Sequence, residues 1–160
     1  MSIDLSKYTS IGFTGTRRGM TNIQDRTIAL AIDTVFFKNK IGWGTKDIKI
    51  HHGDCVGSDA RFHRIVVTAG LGRCIVIHPP ENQKHRAFCN NDKNPREGIV
   101  LEERPYIVRD DDIIDASGVM LATPGEEFET RRSGTWTTIR HARKKGKKIF
   151  VILPSGTITS

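Results

Sequence analysis

Val119-Met120-Leu121-Ala122 and Ile149-Phe150-Val151-Ile152-Leu153 are unbroken apolar runs of strand length. A strand with one face in water alternates apolar and polar residues, because successive side chains point to opposite faces. A run without alternation buries both faces, and that requires layers on both sides of a sheet. Cys74-Ile75-Val76-Ile77 is a third such run, and Ser10-Ile11-Gly12-Phe13-Thr14 a shorter one; Lys49-Ile50-His51-His52 closes a further strand. Segments of helical character separate them. Thr21-Asn22-Ile23-Gln24 fits a capping box, and Ile28, Ala31, Ile32, Val35 and Phe36 follow at helical spacing. Further helices are expected from about Ser58 to Ala69 with Gly70 as the stop, from Tyr106 to Ser117, and from near Ser133 to Gly146. Residues 81–103 are polar and turn-rich and read as a long loop. The 160 residues make one domain. The expected fold is a Rossmann-like, doubly wound α/β domain with a mainly parallel sheet of about five or more strands and helices on both faces.

In such folds ligands sit beyond the carboxyl ends of the strands, so the loops that follow strands carry the function. Three of them combine Gly with Ser, Thr or Asp at a strand-to-helix junction: GTRRGMT after the first strand, HGDCVGSD after the second, and RRSGTW before the last helix. Glycine lets the backbone come close to a ligand, and a helix N-terminus offers unpaired N–H groups and partial positive charge. Ser133 is a good N-cap, with Gly134 and Thr135 behind it. Arg17, Arg18, Arg131 and Arg132 are candidates for bidentate phosphate contacts. A phosphate-bearing ligand is the expectation. Neither a Walker motif nor GxGxxG is present, which removes support for ATP hydrolysis and ordinary NAD binding.

Phe13-Thr14-Gly15-Thr16-Arg17, His52-Gly53-Asp54-Cys55-Val56-Gly57-Ser58-Asp59, Arg109 ahead of Asp115, and Arg132-Ser133-Gly134-Thr135-Trp136 together resemble the SLOG superfamily. That group includes the cytokinin-activating LOG phosphoribohydrolases, the molybdenum-cofactor carrier-like proteins, the Rossmann part of DNA-processing protein A and sensor domains of antiphage systems; small members occur in phages. The resemblance runs from about residue 10 to 154 and rests on motif order and spacing. It implies a Rossmann-like fold, frequent homodimers, and binding of nucleotides or ADP-ribose-like signals. On this basis Gly15, Thr16, Arg17, Gly53, Asp54, Gly57, Asp59, Arg109, Arg132, Ser133, Gly134, Thr135 and Trp136 are the expected ligand-binding residues. Arg109 matches the arginine that the enzymes place near the ribose phosphate.

The chain also departs from that pattern. LOG enzymes carry PGGxGTxxE with a catalytic final Glu. Here Pro124-Gly125 is separated from Gly134-Thr135 by residues 126–133, and the Glu position is Thr138. The inserted Glu126-Glu127-Phe128-Glu129-Thr130 reads as a solvated lid, or as a source of a replacement carboxylate, with Glu127 as the candidate beside Arg109. Binding without hydrolysis is the first expectation and N-glycosidic cleavage of a nucleotide the second.

Charge adds a third. The net charge of +7 and pI near 9.6 favour an anionic partner, nucleic acid included. Yet the densest basic run, residues 140–148, lacks the interleaved aromatics of a base-stacking surface and suits a helix C-terminus. His51, His52, Asp54 and Cys55 are metal-ligand types, but neighbouring strand residues face opposite ways and no zinc spacing is matched, so no metal and no cofactor is expected. Asp59 reads as a ribose-hydroxyl partner or a helix-dipole charge, Trp136 as a base-stacking ring or core filler, and Asp110-Asp111-Asp112 as exposed helix-face charge. Cys55, Cys74 and Cys89 read as free thiols of a reducing cytosol, and no signal peptide or membrane span is expected.

Overall fold

The computed structural model describes residues 2–39 and 47–160. Strands and helices alternate as β1 (Ser10–Gly15), α1 (Asn22–Asn39), β2 (Lys49–His52), α2 (Ser58–Thr68), β3 (Ile75–Ile77), β4 (Ile99–Val100), α3 (Tyr106–Ala116), β5 (Val119–Thr123), α4 (Gly134–Lys144), β6 (Ile149–Ile152) and β7 (Ile158–Thr159). The strands form one sheet in the order β4-β3-β2-β1-β5-β6-β7. Every pairing is parallel except β6 with β7, which closes an antiparallel hairpin at one edge. This is a Rossmann-like α/β fold.

The unbroken apolar runs do what their pattern demands. Along β5, Val119 and Leu121 belong to the core under α1 and α2, while Met120 and Ala122 belong to the core under α3 and α4. All five residues of β5 are buried. The α1–α2 core also takes Ile28 and Ile32 from α1 and Phe62 and Val66 from α2; the opposite core takes Ile113, Ile114, Trp136 and Ile139. Phe13 stacks face to face on Phe62 with ring centroids 4.2 Å apart, joining β1 to α2.

Two elements differ from the sequence reading. Residues 81–103 are not one structureless loop: they hold turns at Gln83–His85 and Pro95–Glu97 and the edge strand β4. β7 was not legible either, because two residues carry no periodicity. Its hairpin is fixed by local bonds instead, Leu153 N–H to Thr157 O at 2.8 Å and Gly156 N–H to Leu153 O at 2.8 Å.

The capping box forms as expected. Thr21 N–H donates to Gln24 Oε1 at 2.9 Å, and Gln24 N–H donates to Thr21 Oγ1 at 3.3 Å. Gln24 does more than cap. It is buried, and its Nε2 donates to the carbonyls of Pro124 at 2.9 Å and Ile152 at 2.8 Å, tying the start of α1 to the ends of β5 and β6. Gln24→Ala strands both carbonyls in the interior. It is expected to lower the unfolding free energy by roughly 2–4 kcal/mol in urea denaturation, well beyond the loss of a cap alone.

Candidate functional site

The chain leaves β1 toward β2 and β3, and later returns to add β5 and β6 on the other side. Connections therefore diverge between β1 and β5, and a crevice opens at the carboxyl ends of these neighbours. It holds a cavity of ≈ 810 Å³. Residues 13–18 form its base. Cys55 and Asp59 flank it from the entry to α2, Tyr106, Arg109, Asp110 and Ile113 from α3, and Arg132–Thr135 and Thr138 from the entry to α4.

Arg109 anchors the floor. Its side chain is buried and donates from Nη1 to the carbonyl of Gly53 at 2.7 Å. Nη2 lies 3.7 Å from Cys55 Sγ, and Nε lies 3.0 Å from Asp110 Oδ1. Gly53 is required here, since a Cβ would overlap the guanidinium and crowd Asp59 Oδ2. Burial opposes the charge of Arg109, but Asp110, Cys55 and Asp59 outweigh it and raise its pKa.

Asp59, in the first turn of α2, accepts Cys55 N–H at 3.1 Å. Burial pushes its carboxyl up to about 7, against the opposing pull of Arg109. Burial raises Asp110 as well. Asp110 is therefore not the exposed helix-face charge that the Asp110-Asp111-Asp112 run suggests: its side chain is 30% exposed and lines the cavity. Burial also lifts the Cys55 thiol to about 11, so it is no nucleophile near neutrality.

Of the other expected residues in the second loop, Gly53, Asp54 and Gly57 serve the frame and do not line the cavity. Gly57 has φ 85°, and a Cβ there would collide with the Arg17 carbonyl. Asp54 is buried at φ 59° and clamps residues 85–89. Its Oδ2 pairs with Arg86 Nε at 3.0 Å, its Oδ1 accepts Cys89 N–H at 2.9 Å, and its carbonyl accepts Ala87 N–H at 2.7 Å. This clamp brings Asn82, Lys84 and His85 to the cavity wall, residues that no motif in the sequence marks.

At the third loop Ser133 caps α4, its Oγ accepting Trp136 N–H at 3.3 Å. The first N–H groups of a helix have no acceptor inside it. Those of Gly134 and Thr135 belong to residues that line the cavity. Trp136 does not stack in the crevice. It is 4% exposed and packs with Ile113, Ile114 and Ile139, because its place in the helix turns it to the sheet. Thr138 Oγ1 lies 3.2 Å from Gly134 O and 3.3 Å from Asp110 Oδ2, alternative acceptors for its one proton.

The acidic insertion is not a free lid. Glu126 pairs with Arg18 at 2.7 Å, Glu129 with Arg140 at 3.3 Å, and Glu127 accepts both the N–H and the hydroxyl of Ser155. Glu127 thus faces the β6–β7 hairpin and does not line the cavity, while Glu126 does. Phe128 stands out from it, 82% exposed.

His51 and His52 point to opposite faces and pair separately. His51 Nδ1 lies 2.9 Å from His78 Nε2, and His52 Nε2 lies 2.9 Å from His63 Nδ1. Cys89 completes a compact His52–His63–Cys89 group of metal-ligand types. Its ligand atoms lie within 4.8 Å of one another, a spacing that admits an ion, but the hydrogen bonding of His52 works against one. Asp54 N–H donates to His52 Nδ1 at 3.1 Å, which places the proton of a neutral ring on Nε2 and directs it at His63. A ligating Nε2 needs the opposite tautomer.

Fold and site define a doubly wound α/β domain with a polar crevice at its switch point. No protein-family model and no curated protein matches the chain.

Asp54→Asn keeps the left-handed backbone, which Asn tolerates, and takes the carboxylate from Arg86 Nε, leaving Glu103 as the acidic partner of Arg86 among the described residues. Loss of roughly 1–3 kcal/mol in urea denaturation is expected, with faster amide exchange across residues 85–89.

Burial lowers His51 and His78 to about 4, and lowers His52 and His63 as well. Unfolded rings titrate near 6.5, so the native state binds fewer protons between the two values. The stability they contribute is present above pH 6.5 and lost as pH falls toward 4. Asp59 acts oppositely: its contribution is full below 3.8 and lost as pH rises through about 7. Denaturation at pH 7.5 and pH 5 is expected to show a net loss on the acid side, about 1.4 kcal/mol per pKa unit for each ring. Asp59→Asn steepens that loss and raises stability at pH 8.

Proposed function

We propose that this protein is a small SLOG-type domain that binds a phosphate-bearing nucleotide or ADP-ribose-like ligand in the β1–β5 crevice, as a sensor, carrier or sequestering protein. The observation that carries this reading is the convergence on one cavity of Arg17, Arg132 and the first turn of α4. Neither arginine has an acidic partner among the described residues, whereas Arg18 is neutralised by Glu126. Anions are favoured where unpaired N–H groups, a helix dipole and free guanidinium groups meet. Asp59 and Asp110 suit ribose hydroxyls as acceptors. The basic run 140–148 supports a nucleic-acid role less well. It begins near the far end of α4, and Arg140, Lys145 and Lys147 are engaged by Glu129, by Asp111 and Asp115, and by Ser117 O.

A second reading, hydrolysis of an N-glycosidic bond, draws on Asp59 and Asp110. Asp110 puts a carboxylate beside Thr138, the position that matches the LOG glutamate. In this reading Asp110 takes a proton from water as it adds to the ribosyl carbon, and Asp59 gives its proton to the departing base. Release of adenine from AMP, lost in Asp110→Asn while AMP still binds, is the expected result. No adenine release by the parent protein discards this reading.

The phosphate assignment is tested at Gly134. A Cβ there meets nothing within 4 Å, and its φ is not left-handed, so Gly134→Asp is compatible with the fold. The carboxylate enters the space of the phosphate and repels it. Calorimetry with AMP or ADP-ribose is expected to show about 100-fold weaker binding or worse, since charge-assisted contacts are worth roughly 1.5–3 kcal/mol each. The melting temperature stays at the parent value. Undiminished binding by Gly134→Asp removes the phosphate from α4.

A further inference from the structure

The acids of the 126–130 insertion are not equivalent. Glu127 is held by Ser155 and Glu129 by Arg140, and neither lines the cavity. Glu126 does line it, and so does the arginine it pairs with, Arg18. Two features bring that arginine to the crevice. The Arg18 N–H donates to Thr16 Oγ1 at 3.3 Å, within the loop that follows β1. Gly125, just past the end of β5, then leaves room for the guanidinium, since a Cβ there would overlap Arg18 Nη2. Arg18 thus borders the same cavity as Arg17, Arg132 and Gly134.

The pair leaves both groups only partly satisfied. Nη2 donates to Glu126 Oε1 at 2.7 Å in a single contact, although a guanidinium can present two parallel N–H groups to an anion. Glu126 Oε2 is buried without a hydrogen-bond partner among the described residues, a costly state for a carboxylate oxygen. The Arg18 side chain is 67% exposed, so it can turn without disturbing the core, and ion pairs this exposed are weak. A phosphate offers the guanidinium more oxygens than Glu126 does. We propose that Arg18 is a third phosphate-binding arginine of this crevice, and that the Glu126 carboxylate holds it as a built-in competitor until a phosphate-bearing ligand takes its place. This rests on the nucleotide reading above and adds the regulation of its site. With Glu127 and Glu129 anchored elsewhere, the exchange involves two side chains and no opening of the insertion.

Calorimetry on the full chain tests this with AMP and ADP-ribose as phosphate-bearing probes and adenosine as the phosphate-free control. Glu126→Gln keeps the shape of the side chain and removes its charge. It is expected to bind the phosphate-bearing probes about fivefold more tightly than the parent, because affinity is withheld in proportion to the molecules whose binding group is occupied. Adenosine has no phosphate to gain Arg18, and its affinity stays within about twofold. Adding Arg18→Ala to Glu126→Gln removes the gain. In a crystal structure of the parent with the tighter-binding probe, Arg18 has left Glu126 for the phosphate. Unchanged affinity in Glu126→Gln, a gain shared by adenosine, a gain that survives Arg18→Ala, or Arg18 still on Glu126 in the complex overturns the competitor assignment alone. No binding of AMP or ADP-ribose by either the parent or Glu126→Gln overturns it together with the nucleotide reading.

Discussion

The crevice of this protein depends on β1 and β5 lying side by side while their chain connections run in opposite directions. Because β5 is buried on both faces, helices must cover both sides of the sheet. Right-handed parallel crossovers can meet that demand by winding outward from β1 in one direction and then the other. The two sets of loops part where the winding reverses, and a polar cavity opens between them. Hydrophobic burial thus places the site, although no apolar side chain defines its chemistry.

The electrostatics inside follow from how that cavity is floored. Arg109 is buried, and a lone buried cation is costly. Gly53 meets the cost in part with its carbonyl, and can do so only because it has no side chain. Asp59, Asp110 and Cys55 share the same few ångströms; burial raises their pKa values, and the charge of Arg109 opposes each rise. Positive charge beneath, carboxylates along the walls, and rim cations without an acidic partner among the described residues give one cavity both signs of charge.

Local signals were legible to different depths. Thr21 and Gln24 stand three residues apart, and their box formed as read. The second role of Gln24, bonding Pro124 and Ile152, spans 100 and 128 positions and has no local signature. Trp136 shows the same limit. Its neighbours in sequence place it at a helix start, but only the packing of α4 on the sheet decides that the indole enters the core. Glu127 and Glu126 are adjacent and alike in type, yet one bonds Ser155 and the other meets Arg18 at the cavity. Asp110 looked like one of three exposed acids until α3 was set against α4.

By itself, the sequence determined the layered α/β fold, its parallel sheet and the loops that could carry a ligand. Those follow from side-chain periodicity, glycine geometry and helix-end chemistry, which act over a few residues. Only the tertiary structure decided which members of those loops share a cavity. Arg109 reaches Gly53 across 56 positions, and Arg86 reaches Asp54 across 32. The energies that select such partners are those of burying charge, and they exist only once the fold has excluded water from the space between them.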